Sequence, residues 1–353
     1  MQVSNKTDIR RLSADELKTM LEKEGQPAFR TKQIFQWLWQ KGANSFDQMS
    51  NLPQELRAWL NEHCVIYTLK LETTQKSDDG TIKSAFSLYD GKSIEGVLIP
   101  SLDRITACIS SQVGCSLQCT FCATAQLNLQ RNLSAGEIFD QVVFLNQQSN
   151  SQFHKPISNI VIMGMGEPLL NYKSVMSAIN HITSPDGLGM SPRRITLSTS
   201  GIAKMIKQLA DDNFACNLAL SLHAADNVKR SQIMPINDSN SLEMLANALK
   251  YFYEMTHTRI TYEYVLLRDF NDSMQDAKNL ALFCRHTPCK VNIIEFNPVS
   301  HAPHRASTVE KTMAFIEYLQ SKNIIVNMRR SRGKDIDAAC GQLANKLAKK
   351  NAL

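Results

Sequence analysis

From Arg104 onward, short apolar runs alternate with helical stretches, and no other feature narrows the fold of this chain as far. The pattern predicts strands over 105–110, 159–163, 194–199, 217–221, 261–267, 290–296 and 324–329. Parallel strands need a crossover between them, and a helix is the usual one, so repeated βα units of this spacing argue for a parallel sheet. Between the first two strands lies Ser134-Ala-Gly-Glu137, a capping box with Leu133 and Ile138 at the staple positions. Periodicity does not separate a full or partial barrel from a doubly wound sheet. The fold class is α/β in each case.

Residues 1–68 have a different pattern and read as a helical accessory unit. Ser13-Ala-Asp-Glu16 is a second capping box, flanked by Leu12 and Leu17, and predicts a helix to about Glu24. Ile34, Phe35, Leu38 and Trp39 share the face of a second helix, and Pro53 starts a third with Leu56, Trp59 and Leu60 buried. Over 69–100 the period changes to that of strands. Asp79-Gly80 marks a hairpin turn, so this stretch reads as a β ribbon leading to a main unit over 101–345. The Lys-rich end from Lys346 to Lys350 reads as a frayed helix. There is no internal repeat and no low-complexity stretch.

A chain of 353 residues with 43% hydrophobic and 20% charged residues has ample material for a core. Its net charge of +6 is a mild basic bias, compatible with a polyanionic partner and too weak to prove one. Nine cysteines at this length do not make a disulfide scaffold. The start carries no apolar signal core, and no run is long enough to span a bilayer. The expected compartment is a reducing cytoplasm.

Four of the nine cysteines crowd together, and three of them form Cys115-Ser-Leu-Gln-Cys119-Thr-Phe-Cys122, just after the first predicted strand. Iron–sulfur carriers hold a cubane with four cysteines. Three leave one iron open to a second molecule, and the known use of such a site is S-adenosylmethionine, whose reductive cleavage releases a carbon radical. The competing reading is structural zinc completed by Cys108. Against it, no second CxxC knuckle exists, and the aromatic Phe121 before Cys122 is common in radical S-adenosylmethionine enzymes. An electron-transfer protein lacks support, since a fourth local cysteine and a second cluster motif are missing.

Further polar groups fall at predicted strand ends, where barrel folds build their sites. Gly164-Met-Gly-Glu167 ends the second strand, with glycine permitting close ligand approach and Glu167 able to pair with an ammonium. Ser198 ends the third strand, Ser221-Leu222-His223 the fourth and Asn297 the sixth. Singly each reads as a cap, turn or structural residue; together they share one rim. Cys340, in Asp335-Ile-Asp-Ala-Ala-Cys-Gly-Gln342, follows the basic run Arg329-Arg330-Ser331-Arg332-Gly333-Lys334, which reads as a mobile loop beside a polyanion or as a solvated face. Arg193-Arg194 adds to the basic inventory, and phosphate contacts of this kind position RNA without reading it. The other cysteines, Cys64, Cys216, Cys284 and Cys289, read as small buried hydrophobes.

At these residues the chain resembles the radical S-adenosylmethionine adenine methyltransferases of ribosomal RNA, of the RlmN/Cfr type. The resemblance covers nearly the whole chain and runs through residues 108–115, 164–171, 197–201, 221–223 and 335–343. Pro168, Leu170 and Thr124-Ala125-Gln126 resemble the branch that methylates carbon 2 of adenine; the carbon-8 branch is the alternative, and a non-catalytic metal-binding RNA module a third. Phe296, where an indole is frequent, is a mild departure that touches pocket shape only.

The resemblance implies a partial six-strand (β/α) barrel with an N-terminal helical domain. It implies a 4Fe–4S cluster on Cys115, Cys119 and Cys122, and S-adenosylmethionine contacts at Gly166, Glu167, Ser198, Ser221, Leu222, His223 and Asn297. Cys340 becomes a methyl carrier, Cys108 the second catalytic thiol and Glu95 a proton acceptor; unaided, Glu95 reads as a strand-end surface carboxylate. Two molecules of S-adenosylmethionine per turnover, a covalent protein–RNA intermediate, 23S rRNA and tRNA as substrates, and a reducing donor such as a flavodoxin complete the implied reaction.

Overall fold

The computed structural model describes residues 6–300 and 302–344. The expected frayed helix over Lys346–Lys350, and the last residue of the expected 101–345 unit, lie outside the described residues.

Both predicted capping boxes form, with Ser13 and Ser134 each exchanging hydrogen bonds with the glutamate three residues on. The first helices are α1 (Ala14–Lys23), α2 (Phe29–Trp39) and α3 (Gln54–His63). Ile34, Leu38, Trp39, Leu56 and Leu60 are buried as the pattern predicts. Trp59 is not: it is half-buried, and its ring stacks on His63 one turn along the helix surface, with centroids 4.6 Å apart. Trp39 instead docks the unit, lying flat on His181 at 3.7 Å and edge-on to Phe139 at 5.2 Å.

Strands β1 (Lys70–Lys76), β2 (Ile82–Ser87) and β3 (Ser93–Pro100) are antiparallel. They continue without a break into β4 (Ile105–Cys108), through the antiparallel pairing of Val97 with Cys108. Then come α4 (Ala135–Phe153), β5 (Asn159–Ile162), α5 (Tyr172–Thr183), β6 (Ile195–Thr199), α6 (Ala203–Asp211) and β7 (Asn217–Ser221). The series ends with α7 (Asn227–Ile233), α8 (Leu242–Thr256), β8 (Ile260–Leu266), α9 (Met274–Phe283), β9 (Cys289–Glu295), α10 (Val309–Ser321) and β10 (Ile325–Arg329). All seven predicted parallel strands are present, one more than the six implied for the barrel. The first stops at Cys108 and not Ser110, because the Ser110 N–H leaves the ladder for the Gln141 side chain at 2.8 Å.

The ten strands form one sheet whose spatial order is the chain order. A doubly wound sheet reverses its order at a switch point; this one never does. It also curls. Arg329 at the end of β10 reaches Met163, just past β5, with 3.9 Å between Nη1 and Sδ. Five strand spacings of ~4.8 Å would put these strands about 24 Å apart in a flat sheet. The architecture is a partial (β/α) barrel, and segment 333–344 crosses toward the β1–β2 hairpin, with Asp335 accepting from Ser77 at 2.6 Å.

Candidate active site

The loop after β4 folds back on itself, Gln112–Val113 pairing with Arg131–Asn132. Gly114, at φ +79°, sits where a Cβ would strike the Asn128 carbonyl, so the loop needs glycine there. The loop presents Cys119 buried and Cys115 and Cys122 half-buried. Burial pushes Cys115 up to about 11 and raises Cys119 and Cys122 as well. Cys122 adds to the rise at Cys115, and Cys122 and Cys115 both add to it at Cys119, so the sulfurs face a common space. Neutral thiols in such a space become ligands once metal charge compensates them. Among the described residues no three His, Cys, Asp or Glu side chains converge as ligands of one ion; in a cubane each thiolate takes a different iron. The donor set fits a three-cysteine 4Fe–4S cluster.

Beside the trio lie the rim residues. Gly166 has φ +99°, and a Cβ there would lie 2.4 Å from Gln112. The Glu167 carboxylate accepts from the backbone N–H groups of Ser200 (2.7 Å) and Leu169 (3.1 Å); burial raises its pKa, and its charge reaches Cys115 and Cys119. Ser198 and Ser221 meet at 3.4 Å between hydroxyl oxygens. Leu222 is fully buried, and its carbonyl accepts from Arg230, which also donates to the carbonyls of Ser200 and Ser221. Arg230, absent from the sequence expectations, thus ties the ends of β6 and β7 together. His223, at φ +56°, accepts the Val265 N–H on Nδ1 at 3.1 Å. Burial, then Arg230, pushes its pKa down to about 3, so it is neutral, and its ring meets Phe121 edge-on at 4.7 Å. Asn297 donates to the Cys340 carbonyl at 3.3 Å, while its own Oδ1 is buried with no hydrogen-bond partner among the described residues. A buried acceptor without a donor costs about 1–3 kcal/mol, which a bound donor would recover. The rim therefore fits a polar ligand beside a cluster.

A second group lies next to the cysteine loop, where the Ala123 N–H donates to the Gly341 carbonyl at 2.7 Å. Burial pushes Cys108 up to about 12, and Cys340 adds to the rise. Cys340 opens to solvent inside the barrel mouth, where desolvation still raises its thiol. Arg329 opposes the rise at both thiols. It is held by Glu263 at 3.1 Å, and Glu263 in turn accepts from Asn292 at 2.8 Å. Glu95 is no surface carboxylate: it sits 1% exposed in mid-β3, accepts from the Ala344 N–H at 3.0 Å, and has Lys83 at 3.9 Å. Lys83 and Glu263 were missed; the available signal was a charge inside an apolar strand run, Ile82-Lys-Ser-Ala-Phe86 and Thr261-Tyr-Glu-Tyr-Val265.

The basic residues divide in a way the sequence does not show. Arg329 turns inward because the end of β10 faces the barrel interior. Lys334 pairs with Glu295 at 2.7 Å. Arg193 and Arg194 precede β6 and so lie on the rim opposite the cysteine loop.

A partial βα barrel with a three-thiol loop after its first parallel strand and a polar rim at the strand ends defines the radical S-adenosylmethionine enzymes. Comparison agrees: residues 109–281 match the radical SAM superfamily, and residues 7–66 match the ribosomal RNA large subunit methyltransferase N-terminal domain. A radical SAM methyltransferase from Sphaerobacter thermophilus superposes with a TM-score of 0.89 at 40% identity, over 96% of this chain and 99% of that one. Probable dual-specificity RNA methyltransferases RlmN are 53% identical in Christiangramia forsetii, over 97% of both chains, and 51% identical in Flavobacterium psychrophilum, over 98% and 99%. The chain belongs to the RlmN family of radical S-adenosylmethionine RNA methyltransferases.

Proposed function

We propose that this enzyme methylates carbon 2 of a specific adenosine in 23S rRNA and in tRNA, with Cys340 as methyl carrier and a covalent protein–RNA intermediate. The reading rests first on Cys108 and Cys340, distant in the chain, lying within electrostatic reach of each other and of Arg329. The substrates are supported by the relatives' description as dual-specificity and by the ribosomal RNA N-terminal match.

Carbon 2 lies between two ring nitrogens and is electron-poor, so it does not attack a sulfonium methyl. A carrier sulfur answers this. The Cys340 thiolate takes the methyl group of one S-adenosylmethionine by displacement. Cys115, Cys119 and Cys122 would hold a 4Fe–4S cluster, which when bound would supply the electron for radical chemistry on a second one. Gly166, Glu167, Ser198, Ser221, Leu222, His223 and Asn297 bind and orient the cofactor at the rim. The Cys340-bound methyl gives up a hydrogen atom to the adenosyl fragment of the second S-adenosylmethionine, its carbon bonds to the base, the surplus electron returns to the donor chain, and the ring proton goes to Glu95, which Lys83 and the Ala344 N–H hold in place. Cys108 attacks the Cys340 sulfur, releasing methylated RNA and leaving a disulfide. Residues 1–68 serve as RNA-facing accessory unit, 69–100 as β ribbon and 101–345 as catalytic unit. The setting is the cytoplasm with a flavodoxin-type donor; among the described residues no helix is long and apolar enough to cross a membrane.

The test is expression in cells lacking their own enzyme of this family, with separate nucleoside analysis of ribosomal and transfer RNA. We expect 2-methyladenosine in both pools. The 8-methyl nucleoside, or neither product from iron-loaded protein, would overturn the reading. In the same cells Cys108→Ala should accumulate RNA covalently bound to protein, seen as a gel band that survives denaturation. Normal turnover by that variant would remove Cys108 from the releasing role.

A further inference from the structure

At the barrel end opposite the active site, a cavity of about 770 Å³ opens between α9, α10 and the starts of β9 and β10. Arg259, Lys278, Arg285 and Lys322 line it, all four exposed, and no carboxylate side chain is among its lining residues. Four like charges around one cavity repel one another, and an anionic occupant relieves that repulsion. The same lining holds two cysteines, Cys284 buried and Cys289 half-buried. The Cys289 thiol donates to the Cys284 carbonyl at 3.6 Å, and each cysteine acts on the ionisation of the other. The reaction at the other end of the barrel uses neither.

We propose that this cavity is a thiol–disulfide exchange site for small anionic disulfides, with Cys289 as the attacking thiol and Cys284 as the resolving one. Reactive cysteines sit in electropositive, partly exposed surroundings, and Cys289 has both properties. The neighbouring Cys284 side chain, then Arg259, holds Cys289 below the ordinary thiol range, whereas Cys284 is pushed up. The cations receive the carboxylates of the incoming disulfide. The Cys289 thiolate attacks one of its sulfurs, forming a mixed disulfide and expelling one thiolate. The Cys284 thiol, losing its proton, then attacks Cys289 sulfur and expels the second thiolate. The balance is two protein thiols oxidised to one disulfide and one small disulfide reduced to two thiols, with no other oxidant.

The probe is oxidised glutathione, with the cationic disulfide cystamine as control, on the anaerobic, cluster-loaded full-length enzyme. Peptide mass mapping reports which cysteine reacts and how fast. Oxidised glutathione should modify Cys289 about tenfold faster than cystamine does, a preference of the size that electrostatic steering produces, and the product should advance to a Cys284–Cys289 disulfide. Cys284→Ser should stop at the glutathionyl adduct on Cys289. Arg285→Gln should narrow the preference between the two probes without changing the basal methyltransferase activity. Equal rates for the probes, modification that spares Cys289, or an adduct that never passes to Cys284 in the unsubstituted protein would each overturn the proposal.

Discussion

Among single residues, Arg329 shows how far environment outweighs a local sequence context. It belongs to a run that reads as a solvated or RNA-facing cationic loop, yet its guanidinium is turned onto Glu263 and acts on both Cys108 and Cys340. The thiolate is the reactive form of cysteine. A cation beside a thiol lowers its pKa, so removing the cation raises it and leaves less thiolate at any given pH. Arg329→Gln should therefore move the rising limb of Cys340 alkylation toward higher pH, read by iodoacetamide labelling and peptide mapping across a pH series. An unchanged limb would show that its charge is not felt at the thiol. The sequence did mark Cys340, Cys108 and the trio, because spacing and family blocks are local properties. It did not mark Arg329, Lys83 or Glu263, because their significance lies in what curls against them.

For whole elements, the start of α4 shows local and long-range roles held by the same side chains. Ser134 accepts the Glu137 N–H at 3.2 Å, and Glu137 returns to the Ser134 N–H at 2.8 Å. The Glu137 carboxylate also takes Arg131 at 2.8 Å, and Arg131 reaches Asp90 at 2.6 Å. That chain links α4, the returning strand of the cysteine loop and the β2–β3 turn. Ser134→Ala should cost about 1 kcal/mol, the usual loss of a cap. Glu137→Ala should cost more, about 1.5–3 kcal/mol for a charged hydrogen-bonded partner lost, and should lower iron retention as well. Denaturation midpoints and iron content measure the two effects; equal destabilisation by both variants would confine Glu137 to capping. Helix starts were legible because a capping box is written within four residues, and parallel strands because apolar runs alternate with helices. Trp59 was misread because a stripe on a helix says which side faces inward and not where its margin falls.

For the whole molecule, the sheet is left open and the C-terminal segment spans the gap. Gly333 donates to Asp79 at 2.9 Å, Asp335 accepts from Ser77 and from the Asp78 N–H, Lys83 reaches the Asp337 carbonyl at 3.3 Å, and Ala344 donates to Glu95. Cys340 is carried between these anchors, so the ribbon that reads in sequence as a connector is the frame on which the carrier thiol is held. Neither curvature nor this crossing is a local property: both come from strand twist summed over many strands, and from partners some 250 positions apart, as in the pairing of Ser77 with Asp335. If the frame positions the thiol, loosening it should slow transfer without touching the cluster. Asp335→Ala removes two of the anchors while leaving Cys115, Cys119 and Cys122 in their loop. Iron content and reductive cleavage of S-adenosylmethionine should be unchanged. Methylation of Cys340 and of RNA should fall roughly tenfold to a hundredfold, the range expected for a misplaced reacting group. Amide exchange over 333–344 should quicken in parallel. Full transfer activity with faster exchange would mean that the segment finds its place without the ribbon, and that the thiol is positioned by Asn297 and the rim alone.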